Sequence, residues 1–344
     1  RTHGAEAFAY AAGPLGCEPL RATVTHMLAT QGIHTGPDRV LITSGSQQAL
    51  FLVCHALLRP GDTVLAEVPT YDGALALFAA LGVRVHSVPV DGDGMRVDRL
   101  EAAIATAAPK LIYTMPTFQN PTGACMPAAR RHRLLEVAHA HEIPVLEDDF
   151  VGDLRYDGHA QPALKALDRH GDVIYAGTLS KLLMPGVRIG YVVADGPILD
   201  HLADMKRAID LSTSLFLQRV VDRFVTVGRY QTHLRRSVRA YRARRDALLG
   251  ALARDLPDAS VWAPKGGLFA WVELPEGVSA SALRSAAHRR GVDFVPGTRF
   301  FPDPADGERF ARLNFAVHDP TRIERGVVRL AAAVADVRAT SAVR

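Results

Sequence analysis

From about residue 36 the chain repeats one pattern: a short apolar run rich in β-branched residues, Gly or Pro punctuation, then a segment with helical apolar spacing. Strands separated by helices cannot pair as tight hairpins. They are joined by crossovers, and the outcome is a mostly parallel sheet covered on both faces. The pattern predicts strands over 39–43, 63–67, 83–88, 110–114, 144–148, 173–177 and 188–193, with helices over 47–58 and 75–81. After a long basic helix over 229–254 the texture changes to short strands near 260–263, 268–273, 294–295 and 310–315, with a helix near 279–290 and a closing helix. The expected organisation is an N-terminal arm over 1–20, a large α/β domain over 21–240 and a small α+β domain over 241–344. The boundary falls inside the long helix, so the two lobes share a rigid element.

Composition removes several classes. The 344 residues are 48% hydrophobic and 22% charged, ordinary values that exclude disordered and fibrous chains. No apolar run reaches the roughly 18 residues of a membrane span, so no membrane partner is expected. Arg1-Thr-His-Gly is not the start of a signal peptide. The sequence lacks an initiator Met and opens in mid-pattern, so an upstream segment is expected. Cys17, Cys54 and Cys125 are far apart and odd in number, which points to a reducing, cytoplasmic location. The formal charge is +4, with only five lysines. The densest basic stretch, Arg235 to Arg245, reads as one solvated helix face, because no recognised nucleic-acid-binding module accompanies it.

Familiar site motifs are missing. No GxGxxG follows a strand, and there is no GxxxxGK[ST], HExxH or GxSxG. His139-Ala-His141-Glu142 ends a helix and reads as surface, while Asp91-Gly-Asp-Gly94 reads as a tight turn.

Four segments carry chemistry. Thr43-Ser-Gly-Ser-Gln-Gln-Ala-Leu50 is a strand end, a Gly turn and a helix start, where free backbone N–H groups suit a phosphate, although Ser46 could simply cap the helix. Asn120-Pro-Thr-Gly123 follows a strand and would otherwise be an ordinary turn. Glu147-Asp-Asp149 puts a carboxylate at the carboxyl edge of the sheet, where such folds bind ligands; the plainer reading is a capping Asp. In Gly177-Thr-Leu-Ser-Lys-Leu-Leu-Met-Pro-Gly-Val-Arg-Ile-Gly-Tyr191, one of the few lysines directly follows a strand.

Taken in order, SGSQQAL, PTY, FQNPTG, LEDD, GTLSK, PGVRIGY, GGLF, PGTRFF and RLNF resemble the fold-type-I pyridoxal-phosphate enzymes of the class I/II aminotransferases. The resemblance is nearest to kynurenine/2-aminoadipate aminotransferases and to the aminotransferase-like domain of MocR regulators. It spans nearly the whole chain, and the ordered set is far more specific than any one motif.

The resemblance implies a PLP-dependent transferase fold and a role for each residue. Lys181 would hold pyridoxal 5'-phosphate (PLP) as a Schiff base and move the substrate α-proton; nearby cations and apolar surroundings keep its amine neutral. Asp148 would face the pyridine nitrogen and keep it protonated. Asn120 would bond the ring's phenolic oxygen and lie near the substrate carboxylate, and Tyr71 would stack on the ring. Gly45, Ser46, Gln47, Thr178, Ser180 and Arg188 would hold the phosphate. Arg312 would clamp the substrate α-carboxylate through its two-pronged donor geometry. Tyr10 would reach the phosphate of a neighbouring subunit, which implies a homodimer with interface active sites.

Two departures stand out. Relatives carry a Tyr two or three residues after the pyridine-binding Asp, but here those positions are Phe150 and Val151. A hydrogen bond lost to an anionic oxygen is worth about 1.5–3 kcal/mol. Tyr10 also sits one residue further than expected from the Gly16-x-x-x-Leu-Arg21 pattern. The implied activity is amino transfer between an α-amino acid and a 2-oxo acid. A rival enzymatic reading is β-elimination or decarboxylation on the same fold. Another is the effector domain of a MocR-type regulator, which requires a DNA-binding helix-turn-helix that the given residues do not include; FQNPTG matches the enzymes better.

Overall fold

The computed structural model describes residues 9–10, 13–181 and 183–342. Its helices are α1 (Glu18–Ala29), α2 (Ser46–Leu57), α3 (Asp72–Ala80), α4 (Leu100–Ala107), α5 (Ala128–Ala140), α6 (Leu164–Leu167), α7 (Ile198–Asp210), α8 (Leu215–Thr226), α9 (Arg229–Asp255), α10 (Ala280–Arg289) and α11 (Pro320–Ala342). The strands are β1 (Val40–Thr43), β2 (Thr63–Val68), β3 (Arg84–Asp91), β4 (Gly94–Met95), β5 (Leu111–Thr114), β6 (Val145–Asp149), β7 (Val173–Thr178), β8 (Gly190–Val193), β9 (Ser260–Trp262), β10 (Phe269–Glu273), β11 (Val295–Pro296) and β12 (Phe310–Asn314).

The first eight strands form one sheet in the order β1-β8-β7-β6-β5-β2-β3-β4. The run from β7 to β3 is parallel throughout, as the alternating pattern predicted. β8 runs antiparallel to both β7 and β1, so β1 points the same way as β7. Side chains alternate across the sheet. Leu41, Ala66, Tyr113, Leu146 and Ala176 face a core shared with α2, α3 and α7. Ile112, Val145 and Val173 face the opposite side with α4 and α5, and Val40, Ile42 and Tyr175 pack there with α1. Both faces are therefore covered, and the carboxyl ends of β1, β2, β5, β6 and β7 come together along one edge.

β9 to β12 form a second, antiparallel sheet in the order β11-β12-β10-β9. It packs on α10, α11 and the C-terminal half of α9 through Leu248, Leu252, Ala270, Leu283, Leu313 and Leu330. α9 touches both cores, since Leu234, Val238 and Tyr241 lean on the large one and Leu248 and Leu252 belong to the small one. Its basic stretch is not uniformly solvated. Arg245 is buried, donating to Asp157 and to the Pro264 carbonyl, and Arg244 donates to the Ala316 carbonyl. These guanidiniums tie the helix to both lobes.

The 188–193 strand begins two residues later than its apolar run, at Gly190. Residues 185–187 form a 3-10 turn and Arg188 is left-handed at φ 48°, so the extended chain starts only beyond them. Asp91-Gly-Asp-Gly94 is a hairpin turn closed by the Asp93 N–H donating to Asp91. No described helix is long and apolar enough to cross a membrane, and the described residues hold no cluster of metal-ligating side chains.

Candidate active site

The sheet's carboxyl edge gathers the marked segments. Strand alternation places Asp148 on the same face as Leu146, beneath α2, while Glu147 points the other way. Glu147 is occupied there, accepting from the N–H groups of Leu164 and Lys165. Asp148 is buried, and burial pushes its carboxyl up to about 7. Its Oδ2 accepts from the Tyr113 hydroxyl at 2.8 Å, and its Oδ1 has no partner.

Asn120 lies in the loop after β5, held by a buried scaffold. Arg131 is fully buried and donates to the carbonyls of Pro116 and Met126 and to the Thr117 hydroxyl. Gln119 donates to the Pro69 carbonyl at 2.6 Å, linking this loop to the one that carries Tyr71. Glu67 accepts from Thr114 and from the Met115 N–H, fixing the loop's first residues. Arg131 is not detectable as part of a site from sequence, and Gln119 appears there only as a letter of FQNPTG, because each acts through backbone carbonyls that folding brings to it.

At the start of α2, Gly45 is the N-cap residue at φ 92°. Ser46 is the first helical residue and makes no capping bond, so the cap reading of Ser46 is wrong and its hydroxyl stays uncommitted to the helix. Glycine is required here on two counts. A Cβ on Gly45 would come within 2.5 Å of the Arg188 guanidinium, and one on Gly190 would come within 2.6 Å of the Ser46 nitrogen. The left-handed backbone and these close approaches set Arg188 against the free N–H end of the helix, a cradle for a doubly charged anion. Gln47 accepts from the Tyr71 hydroxyl at 3.0 Å and orients that ring.

Lys181 is exposed in the turn after β7, and its ammonium is held below its ordinary pKa by desolvation and by Arg188 and Arg312. Ser180 is buried with a partnerless hydroxyl. Thr178 differs from expectation. Its hydroxyl donates to the Ile189 carbonyl and accepts from the Ser180 N–H, so it shapes the lysine turn and has no proton to offer an anion.

Arg312 crosses from β12 in the small lobe. It donates to Asn120 Oδ1 at 2.8 Å, and its guanidinium lies between the rings of Phe269 and Phe300, 4.1 and 4.8 Å from their centroids. Burial lowers its pKa to about 10, and its Nε has no partner. The two rings are the GGLF and PGTRFF phenylalanines, which the sequence marked only as motif letters. Phe150 stacks against Phe269 and Val151 is fully buried, so neither replacement for the relatives' Tyr brings a hydroxyl to the site. Tyr10 is 75% exposed and takes no part in this arrangement within the chain.

Among the described residues, four buried polar side-chain atoms have no partner: Thr70 Oγ1, Asp148 Oδ1, Ser180 Oγ and Arg312 Nε. All four fall on the marked segments. Buried polar groups are ordinarily satisfied, so such a cluster marks a ligand site. With Tyr71, Lys181 and the Gly45–Arg188 cradle beside them, these atoms make a site that fits PLP: a carboxylate for a pyridinium nitrogen, an aromatic ring to cover a heterocycle, an amine for an aldehyde and a cradle for a phosphate.

The sequence model of the family described as "Aminotransferase class I and II" matches residues 15–330. An aromatic-amino-acid aminotransferase from Thermococcus litoralis is 38% identical over 336 residues, covering 96% of this chain and 80% of the relative. LysN, an α-aminoadipate aminotransferase from Thermus thermophilus solved with N-(5'-phosphopyridoxyl)-L-leucine, superposes with a TM-score of 0.92 at 37% identity, covering 98% of this chain and 86% of that one. An uncharacterised helix-turn-helix transcriptional regulator from Bacillus subtilis, YdfD, is 32% identical over 94% of this chain and 67% of its own length.

Proposed function

This chain belongs to the class I and II aminotransferases, and on that premise we propose that it moves an amino group between an α-amino acid and a 2-oxo acid with the residues assembled above. It is a PLP-dependent enzyme of fold type I. The observation that carries the residue assignment is the set of unpartnered buried atoms, in which Asp148 Oδ1 suits the ring nitrogen, Ser180 Oγ the phosphate and Arg312 Nε a substrate carboxylate.

When bound, PLP supplies the electron-withdrawing ring that accepts the electron pair left behind as the substrate loses its α-proton. The protein's residues do the rest. Asp148 Oδ1 accepts from the pyridinium nitrogen and holds its proton in place. Ser46, Ser180, Arg188 and the N–H groups at the start of α2 bind the phosphate, and Tyr71, braced by Gln47, covers the ring. Asn120 keeps its amide N–H for the phenolic oxygen because its carbonyl is already taken by Arg312. Arg312, flattened between two rings, receives the substrate carboxylate. The lowered pKa of Lys181 favours the neutral amine, the form that would hold the coenzyme through its aldehyde carbon and, once displaced by the substrate's amino group, would take up the α-proton.

The reading includes a homodimer. Ile209, Leu211, Phe216 and Val220 are large apolar side chains exposed within residues 209–220, and Met184 is exposed in the lysine loop itself. Singly exposed apolar residues need no explanation, but this density beside a catalytic loop suits a second copy. Tyr10, unused within its own chain, would then serve the partner's phosphate. We also read the large domain as 21–240 and the small one as 241–344.

The similarity to a regulator supports one competing reading, an effector-sensing domain. A panel of amino acids mixed with the purified protein separates the readings by the coenzyme's absorbance. Release of a 2-oxo acid with conversion to pyridoxamine phosphate establishes transfer. Ammonia or carbon dioxide with the aldehyde retained indicates elimination or decarboxylation, and no turnover indicates sensing. Lys181→Ala should abolish borohydride trapping of the coenzyme on the chain; a label retained elsewhere would overturn the assignment.

A further inference from the structure

Among the described residues, the one hydrogen bond that reaches the Asp148 carboxylate comes from a residue that none of the motifs marks as functional. Tyr113 lies on β5, paired in register with Leu146 of β6, and Asp148 is two residues further along β6 on the same face. Its hydroxyl donates to Asp148 Oδ2 at 2.8 Å, with Tyr113 0% and Asp148 3% exposed. Phe78 packs edge-on against the Tyr113 ring at 5.7 Å and 77°, holding the ring in place.

We propose that Tyr113 is a positioning residue for the coenzyme: by holding one oxygen of Asp148 from below, it aims the other oxygen at the pyridinium nitrogen and keeps the carboxylate charged. The proposal rests on Asp148 being the ring's partner. The terminal torsion of an Asp side chain is broad and roughly two-fold, so an unanchored carboxylate would swing between its two faces. One fixed donor removes that freedom and leaves a single open acceptor, Oδ1.

The surroundings make this donor necessary. The titratable groups facing Asp148 are the Cys54 thiol from α2, Glu67 from β2, Tyr71 from the following loop and its neighbour Asp149. None is a cation. Burial, Asp149 and Glu67 all favour the protonated acid, and the Tyr113 bond opposes them. Burial and the adjacent carboxylate hold the Tyr113 hydroxyl well above its ordinary pKa, so it stays a donor throughout the working range. With Phe150 and Val151 bringing no hydroxyl to the ring's phenolic oxygen, control of the ring's electronics would fall more heavily on the Asp148 contact.

Tyr113→Phe keeps the volume and removes the bond. The test titrates apoprotein with pyridoxamine 5'-phosphate from pH 6 to 9, which forms no covalent link to Lys181, and with the analogue whose ring nitrogen is replaced by CH. For wild type, affinity for the nitrogen-bearing ring should rise with pH as Asp148 ionises. In Tyr113→Phe the midpoint should move up by about one pH unit, with affinity for the CH analogue unchanged. Turnover should fall in kcat by about tenfold or more with KM nearly constant, the signature of a ring held in a less electron-demanding state. In an Asp148→Asn background, adding Tyr113→Phe should change neither quantity further. An unshifted midpoint with normal kcat overturns the proposal. So does an equal loss for both ring types, which would make Tyr113 a packing residue. If wild type itself fails to distinguish the two rings, the assignment of Asp148 falls, and this proposal with it.

Discussion

Replacing Arg312 with Lys isolates what the guanidinium contributes beyond charge. In the structure it is fixed on three sides, by the ring faces of Phe269 and Phe300 and by Asn120 Oδ1, and it presents an unpartnered Nε. Its lowered pKa reports a cation poorly solvated by water, for which an incoming carboxylate is a strong partner. A lysine retains the charge but offers one contact where Arg offers two, and a compact ammonium does not fill the slot between the rings. Losing one charge-assisted hydrogen bond costs about 1.5–3 kcal/mol and weakening the ring contacts about 0.5–1 more. Together that is about 2–4 kcal/mol, or roughly 30- to 1000-fold in kcat/KM for an α-amino acid. Steady-state kinetics with an amino acid, and with an amine of the same side chain lacking the carboxylate, gives the comparison. The amine should be far less sensitive than the amino acid, since only the amino acid carries the carboxylate. A drop below about threefold for the amino acid, or an equal drop for the amine, would refute the assignment of Arg312 to the carboxylate.

Gly190→Ala would drive a Cβ to within 2.5 Å of the Gly45 carbonyl carbon, pushing backbone rather than a flexible side chain. Overpacking of this kind costs about 1–3 kcal/mol, so coenzyme affinity should fall by roughly 5- to 150-fold as the phosphate cradle opens. Unchanged affinity by titration would show that the cradle tolerates displacement. The third prediction concerns pH. Burial raises Glu67, Glu147 and Asp148 to about 7 in the folded chain, from 4.5, 4.5 and 3.8. Each binds a proton more tightly folded than unfolded, so its stabilising contribution is complete below pH ~4 and is lost as pH rises through about 7. The apoprotein should therefore melt at a lower temperature at pH 8 than at pH 5.5; a rise over that interval would contradict the burial of these groups.

The parts legible in the sequence are those fixed by local rules. Short apolar runs rich in β-branched residues and Gly/Pro breaks located the strands of the large sheet, and a lysine and a carboxylate at strand ends were already recognisable as site candidates because a parallel sheet brings its carboxyl ends to one edge. Ser46 could be read as a cap or as a phosphate ligand, and only the backbone, which makes Gly45 the N-cap residue, excluded the cap. Thr178 was read as a donor because its position in GTLSK says nothing of the Ile189 carbonyl beside it. Tyr113 escaped notice because a buried strand tyrosine looks like core until the hydroxyl's partner is known.

The order of the motifs by itself pointed to the architecture and the coenzyme and nominated Lys181 as the anchor, because each depends on residue type and spacing along the chain. Tertiary structure alone decided which oxygen of Asp148 is free, how Arg312 is set against the rings of Phe269 and Phe300, and that Arg131 and Gln119 brace the Asn120 loop. Those are contacts between segments distant in sequence, and their geometry exists only once both cores have closed around the long shared helix.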